Sequence, residues 1–137
     1  MKQALVNSFP ISIAESLMLN KSKLYIAIGS GLASWDNNLP DIDPDATSLV
    51  EYRTKAPVAD IVYLDDNDAV SSEPTSKIQI SSIAFSAEDF EGPVRECGLF
   101  LYPTIDNGIM LLHAVFARID ITPQITLTKN LIINLVA

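Results

Sequence analysis

The chain has 137 residues, 48% of them hydrophobic and 19% charged, with only 5 glycines; this suits one globular domain with a core of its own and excludes a disordered segment. A net charge of −8 opposes phosphate backbones and anionic lipid, so neither nucleic acid nor membrane is expected as a partner, whereas a basic patch on a protein is. One cysteine, Cys97, rules out an internal disulfide and a Cys-x-x-Cys metal site; Met1 to Asn7 lack the apolar core of a signal peptide.

The first predicted element is a helix between Pro10 and Asn20. Ser8 is a candidate cap, and Ile13 and Leu17 form an apolar stripe with Ala14 and Met18 beside them. A strand follows at Lys23 to Ile28, stopped by Gly29-Ser30-Gly31. The Asp-, Asn- and Pro-rich stretch from Leu32 to Ala46 reads as loop, and Asp45 to Arg53 as a short helix with Leu49 facing inward. Strands are predicted at Val58 to Leu64 and Lys77 to Phe85, with a polar turn at Asp65-Asp66-Asn67-Asp68 between them. Three apolar runs close the chain: Val94 to Leu101, Gly108 to Asp120, and Ile125 to Val136. The second is apolar on both faces, which predicts a strand central in its sheet or covered on both sides. In the third, Ile125, Leu127, Leu131, Ile133 and Leu135 share a face, the alternation of a half-buried antiparallel strand.

The chemistry-bearing residues are sparse. His113, the only histidine, sits in mid-strand between Leu112 and Ala114, which predicts a structural imidazole with a satisfied ring nitrogen. Cys97 reads as a small buried hydrophobe; by parity it shares a face with Arg95, the one feature in favour of thiol reactivity. Asp41, Asp43 and Asp45 alternate like the opening of a calcium loop. The pattern then fails, with Ala46 where a glycine and Tyr52 where a bidentate glutamate belongs. Gly29-Ser30-Gly31 lacks the third glycine and the Lys-Ser/Thr pair of a phosphate loop. Trp35, the only tryptophan, falls in a loop and reads equally as an interface anchor or as a lid on the domain's own core. No catalytic set, cofactor site or metal site emerges, so no enzyme is expected.

Short motifs at both ends carry a resemblance. Leu5 through Met18 followed by Leu24-Tyr25-Ile26-Ala27-Ile28-Gly29-Ser30-Gly31 resembles the N-terminal module of phage tail-collar and tail-fibre proteins. Tyr25-x-Ala27-Ile28-Gly29 with Trp35-Asp36-x-Asn38-x-Pro40 is similar to an opening signature of baseplate components in contractile-tailed phages. Val94-Arg95-Glu96-Cys97-Gly98-Leu99-Phe100 is similar to the Glu-x-Gly-Leu-Phe motif of the fibre module, with Cys97 in place of the usual Ile or Val. The resemblance implies a virion protein of the tail or baseplate, made in the host cytoplasm and oligomeric in its assembly. Its partners would be other tail and baseplate proteins or a tail fibre. With the chain stopping at Ala137, the resemblance further implies an attachment part without a receptor-binding tip.

Composition, pattern and resemblance together predict a single mainly β domain over residues 1–137: an antiparallel β-sandwich or half-barrel of about six strands with one N-terminal helix. The predicted core comprises Ile13, Leu17, Leu24, Ile26, Ile28, Ile80, Leu99, Leu111, Val115, Leu127, Leu131 and Ile133. The predicted partner contacts are Trp35, Asp36, Leu39, Pro40, Tyr52 and Tyr102, loop aromatics and their neighbours. A second reading, a small glycan- or ligand-binding module, rests on loop Trp and Tyr residues lying beside carboxylates.

Overall fold

The computed structural model describes residues 1–4, 6, 8–101 and 109–135. It is mainly β, with two antiparallel sheets and one N-terminal helix. After helix α1 (Ser8–Leu19) come β1 (Leu24–Gly29), β2 (Tyr52–Pro57), β3 (Asp60–Leu64), β4 (Lys77–Ser81), β5 (Gly92–Leu101), β6 (Ile109–Ile121) and β7 (Asn130–Asn134). The strand order is β2-β1-β5-β6 in one sheet and β3-β4-β7 in the other.

Alternation decides what each face buries. In β1, Leu24, Ile26 and Ile28 point into the core between the sheets, where they meet Cys97 and Leu99 of β5 and Ile78 and Ile80 of β4. Ala27 points the other way, into a smaller cluster with Leu49, Phe100 and Met110. The four-stranded sheet is therefore covered on both faces, by the second sheet on one side and by the loop that holds Leu49 on the other. This explains why every residue of β5 from Val94 to Phe100 is buried. Helix α1 closes the core with Ala14, Leu17 and Met18, a stripe at three- and four-residue spacing.

Several expectations are corrected. No helix forms over 45–53. The free edge of β1 pairs instead with β2, and the Val50 and Glu51 N–H groups go to a side chain rather than to a helix ladder. Of the two alternatives for β6, central in its sheet or covered on both sides, the first fails: among the described residues it is an edge strand with β5 as its only neighbour, while its residues pack into clusters on both faces. Its two-sided apolar pattern comes from core packing by Leu112, Ala114 and Phe116 and from a separate contact by Met110. Three predicted core residues are not core. Ile13 lies on the outer flank of α1 and is exposed. Leu111 is exposed because it is the extra residue where the register shifts between Leu99↔Leu112 and Phe100↔Met110. Val115 is half-buried opposite Glu96, on the sheet face away from the main core. The last strand shortens to β7, although Leu127 still bridges to Phe85. The polar turn is as expected, with Asp65 Oδ1 accepting from the Asn67 and Ala69 N–H groups.

The two sites predicted to be equivalent core positions should therefore separate in chemical denaturation. Ile80→Ala, fully buried in the central strand of its sheet, should cost about 2–5 kcal/mol. Ile13→Ala should change stability by less than about 0.5 kcal/mol.

Candidate functional site

The only fully buried charged side chain among the described residues is Glu96, in the middle of β5. Its cross-strand partner on β1 is Gly29. A Cβ at Gly29 would sit 2.7 Å from Glu96 Oε2 and 2.6 Å from the Glu51 carbonyl. Only glycine leaves room for the carboxylate to cross β1 and reach the loop beyond. There Oε2 accepts from Gly31 N (3.2 Å) and Glu51 N (2.8 Å), and Oε1 from Val50 N (2.9 Å). His113 of β6 supplies the fourth contact, with Nε2 3.0 Å from Oε1. A carboxylate has about four acceptor positions, and all are filled. The carboxylate oxygen facing Nε2 makes that nitrogen the donor. Nδ1 is buried and has no hydrogen-bond partner.

A second charged device lies beside the first. The turn at Gly31, with φ +60°, admits the Trp35 ring at the place a Cβ would occupy, 2.4 Å from Cζ3. Trp35 is thereby only 8% exposed. The next residue, Asp36, receives a two-pronged contact from Arg95, with Nε at 2.7 Å and Nη2 at 2.9 Å, while Nη1 donates to the Ser30 carbonyl at 2.8 Å. The Arg95 guanidinium holds the Asp36 carboxyl below its ordinary value of 3.8. Arg95 and Cys97 do not share a face after all: the register irregularity between Val94 and Glu96 turns Arg95 toward the loop, while Cys97 stays in the sandwich core. Burial pushes the Cys97 thiol up to about 11, which leaves almost no thiolate at neutral pH.

The same loop forms one wall of a groove whose other wall is β6. Three depressions of about 470, 360 and 220 Å3 adjoin along it. The first lies between Asn37–Leu39 and Ala117–Arg118, the second between Asp41–Ser48 and His113 with Val115, and the third between Ile42–Ala46 and Met110–His113. The third depression touches four consecutive residues of β6 around the bulge at Leu111, and the second touches His113 and Val115 on one face of the strand.

The residues singled out for partner contact are distributed unevenly. Trp35 covers the domain's own sheet, and Asp36 is engaged by Arg95. Leu39 and Tyr52 are exposed, Pro40 is half-buried on the groove wall, and Tyr102 lies outside the described residues. Glu96 was not foreseen as the organising residue. The available signals were a glutamate beside an arginine inside an apolar run and a lone histidine in the next run. Asp43 Oδ1 accepts from Asp45 N at 2.9 Å, a local turn contact, and among the described residues no three His, Cys, Asp or Glu side chains are placed to hold a metal ion. The Gly31 N–H that a phosphate loop would offer to a ligand is taken up by Glu96. Neither a family model nor a curated protein matches the chain.

The Asp36–Arg95 contact fixes a pH dependence. A carboxyl whose pKa is depressed on folding adds stability above its unfolded value, and that stability is lost as pH falls through the folded one. Asp36→Asn should remove this contribution, so that stability below about pH 4 falls less steeply than in the parent when followed by denaturant titration across acid pH.

Proposed function

We propose that this chain is a non-enzymatic structural protein of a contractile phage or phage-like tail, joining baseplate or wedge proteins to one another or to a tail fibre. The observation that carries the reading is the meeting of two motifs that lie far apart in the sequence. Gly29, Gly31, Trp35 and Asp36 belong to the segment resembling the opening of baseplate components. Arg95, Glu96 and Gly98 belong to the Glu-x-Gly-Leu-Phe segment. These residues interlock: Glu96 with Gly29 and Gly31, and Arg95 with Asp36. Two short motifs that build one contact network make a coincidence of separate matches a poor account of the resemblance.

The surface supports an assembly role in a second way. Leu39 and Tyr52 are exposed large side chains, and a long edge strand borders an open groove. Such surfaces are buried when small proteins take their place in larger assemblies. The glycan-binding reading loses its strongest element, since the Trp35 ring is packed against Gly31 rather than displayed for stacking.

Quantitative mass spectrometry of intact, unstripped particles tests the proposal. The expected result is this chain present at a fixed ratio to the tail-tube protein. Its absence from particles, with the chain free in the lysate, would overturn the proposal.

A further inference from the structure

Edge strands of soluble proteins are commonly protected by lysine, proline or brevity. The outer edge of β6 is not. From Ile109 to Ala117 it contains no Asp, Glu, Lys, Arg or Pro. Two irregularities interrupt it: the bulge at Leu111, and the register shift that sets Phe116, Ala117 and Arg118 against Arg95 alone. Ile109 is 54% and Leu111 43% exposed. Among the described residues no strand pairs with this edge. The charged protection comes only at the far end, where Arg118 pairs with Asp120.

The facing wall of the groove has the opposite character. Asp41, Asp43 and Asp45 line its middle section, all three are exposed, and none has an ion-pair partner among the described residues. On the β6 wall His113 has its side chain nine-tenths buried, and its Nδ1 is buried without a hydrogen-bond partner. The unfilled groups that the groove presents are thus carboxylates and strand-edge backbone. Every one of these except the edge C=O and N–H groups asks for a donor or a cation, and the edge asks for an extended chain.

We propose that this groove receives an extended, cationic segment of a partner protein. The segment adds a strand to the β6 edge and places lysine or arginine side chains against Asp41, Asp43 and Asp45. The inference deepens the reading of the chain as an assembly protein and rests on it. A second copy of this chain does not fit the same groove: it carries a net charge of −8 and would set its own acidic wall beside this one.

Fluorescence anisotropy on the full chain tests the proposal with two labelled peptides of about ten residues, a length that matches a long strand. One alternates valine with lysine, the other valine with glutamate. The lysine peptide should bind at least about tenfold tighter, and its affinity should fall as salt rises. Hydrogen exchange should slow along residues 109–117 in the complex. Asp41→Asn, Asp43→Asn and Asp45→Asn combined should weaken binding about tenfold or more; asparagine keeps the local turn contact of Asp43. The same charge change made outside the groove, Glu73→Gln with Glu88→Gln and Glu91→Gln, should leave it unchanged. Equal or tighter binding of the glutamate peptide would overturn the proposal. So would binding without protection of β6, equal loss in both triple variants, or self-association that buries β6 in the absence of peptide. Particles that contain the chain while the peptide fails to bind would sink the groove assignment and leave the tail assignment standing.

Discussion

A buried carboxylate with every acceptor position filled is the constraint on which the loop side of this protein depends. Placing Glu96 in a sheet covered on both faces would be prohibitive if the charge were left bare. The cost is offset by three backbone N–H donors and the His113 imidazole, since hydrogen bonds to charged groups are worth roughly 1.5–3 kcal/mol each. The donors come from the two ends of one loop, Gly31 at its start and Val50 and Glu51 at its finish. Satisfying Glu96 therefore closes the loop onto the sheet. In the absence of the carboxylate the same N–H groups would be left without their partners, so site and loop stand or fall together.

The groove follows from this closure. With its ends fixed by Glu96 and its early turn fixed by the Arg95 fork on Asp36, the middle of the loop is held along β6 without pairing to it. Trp35 fills the space beneath, made possible by the missing Cβ at Gly31. The result is an acidic rail alongside β6. In the proposed docking, backbone pairing along β6 would hold the partner segment and side-chain charge would select it.

Much of the fold was legible because it rests on local alternation. Leu24, Ile26 and Ile28 declare their strand and its buried face unaided, as does Leu131 in β7. What escaped was what depends on partners remote in sequence. Tyr52 to Pro57 has no convincing strand pattern and becomes a strand because the edge of β1 is there to pair with it. The apolar run of β6 reads as central or as covered on both sides, and which of the two holds is decided by which strand sits beside β5. The candidate site was half legible: Trp35, Asp36 and the Glu-x-Gly-Leu-Phe segment drew attention separately. That Glu96 and His113 would meet, and that Gly29 exists to let the carboxylate pass, required the pairing of β1, β5 and β6.

Residue-resolved hydrogen exchange on Glu96→Gln tests the central claim most directly. Glutamine preserves shape but turns two acceptor positions into donors. The account predicts that the amides of Gly31, Val50 and Glu51 lose about tenfold or more of their protection, while those of Ile26 and Ile80 in the sandwich core change far less. Protection of the three loop amides equal to that in the parent would contradict the claim that Glu96 holds the loop in place.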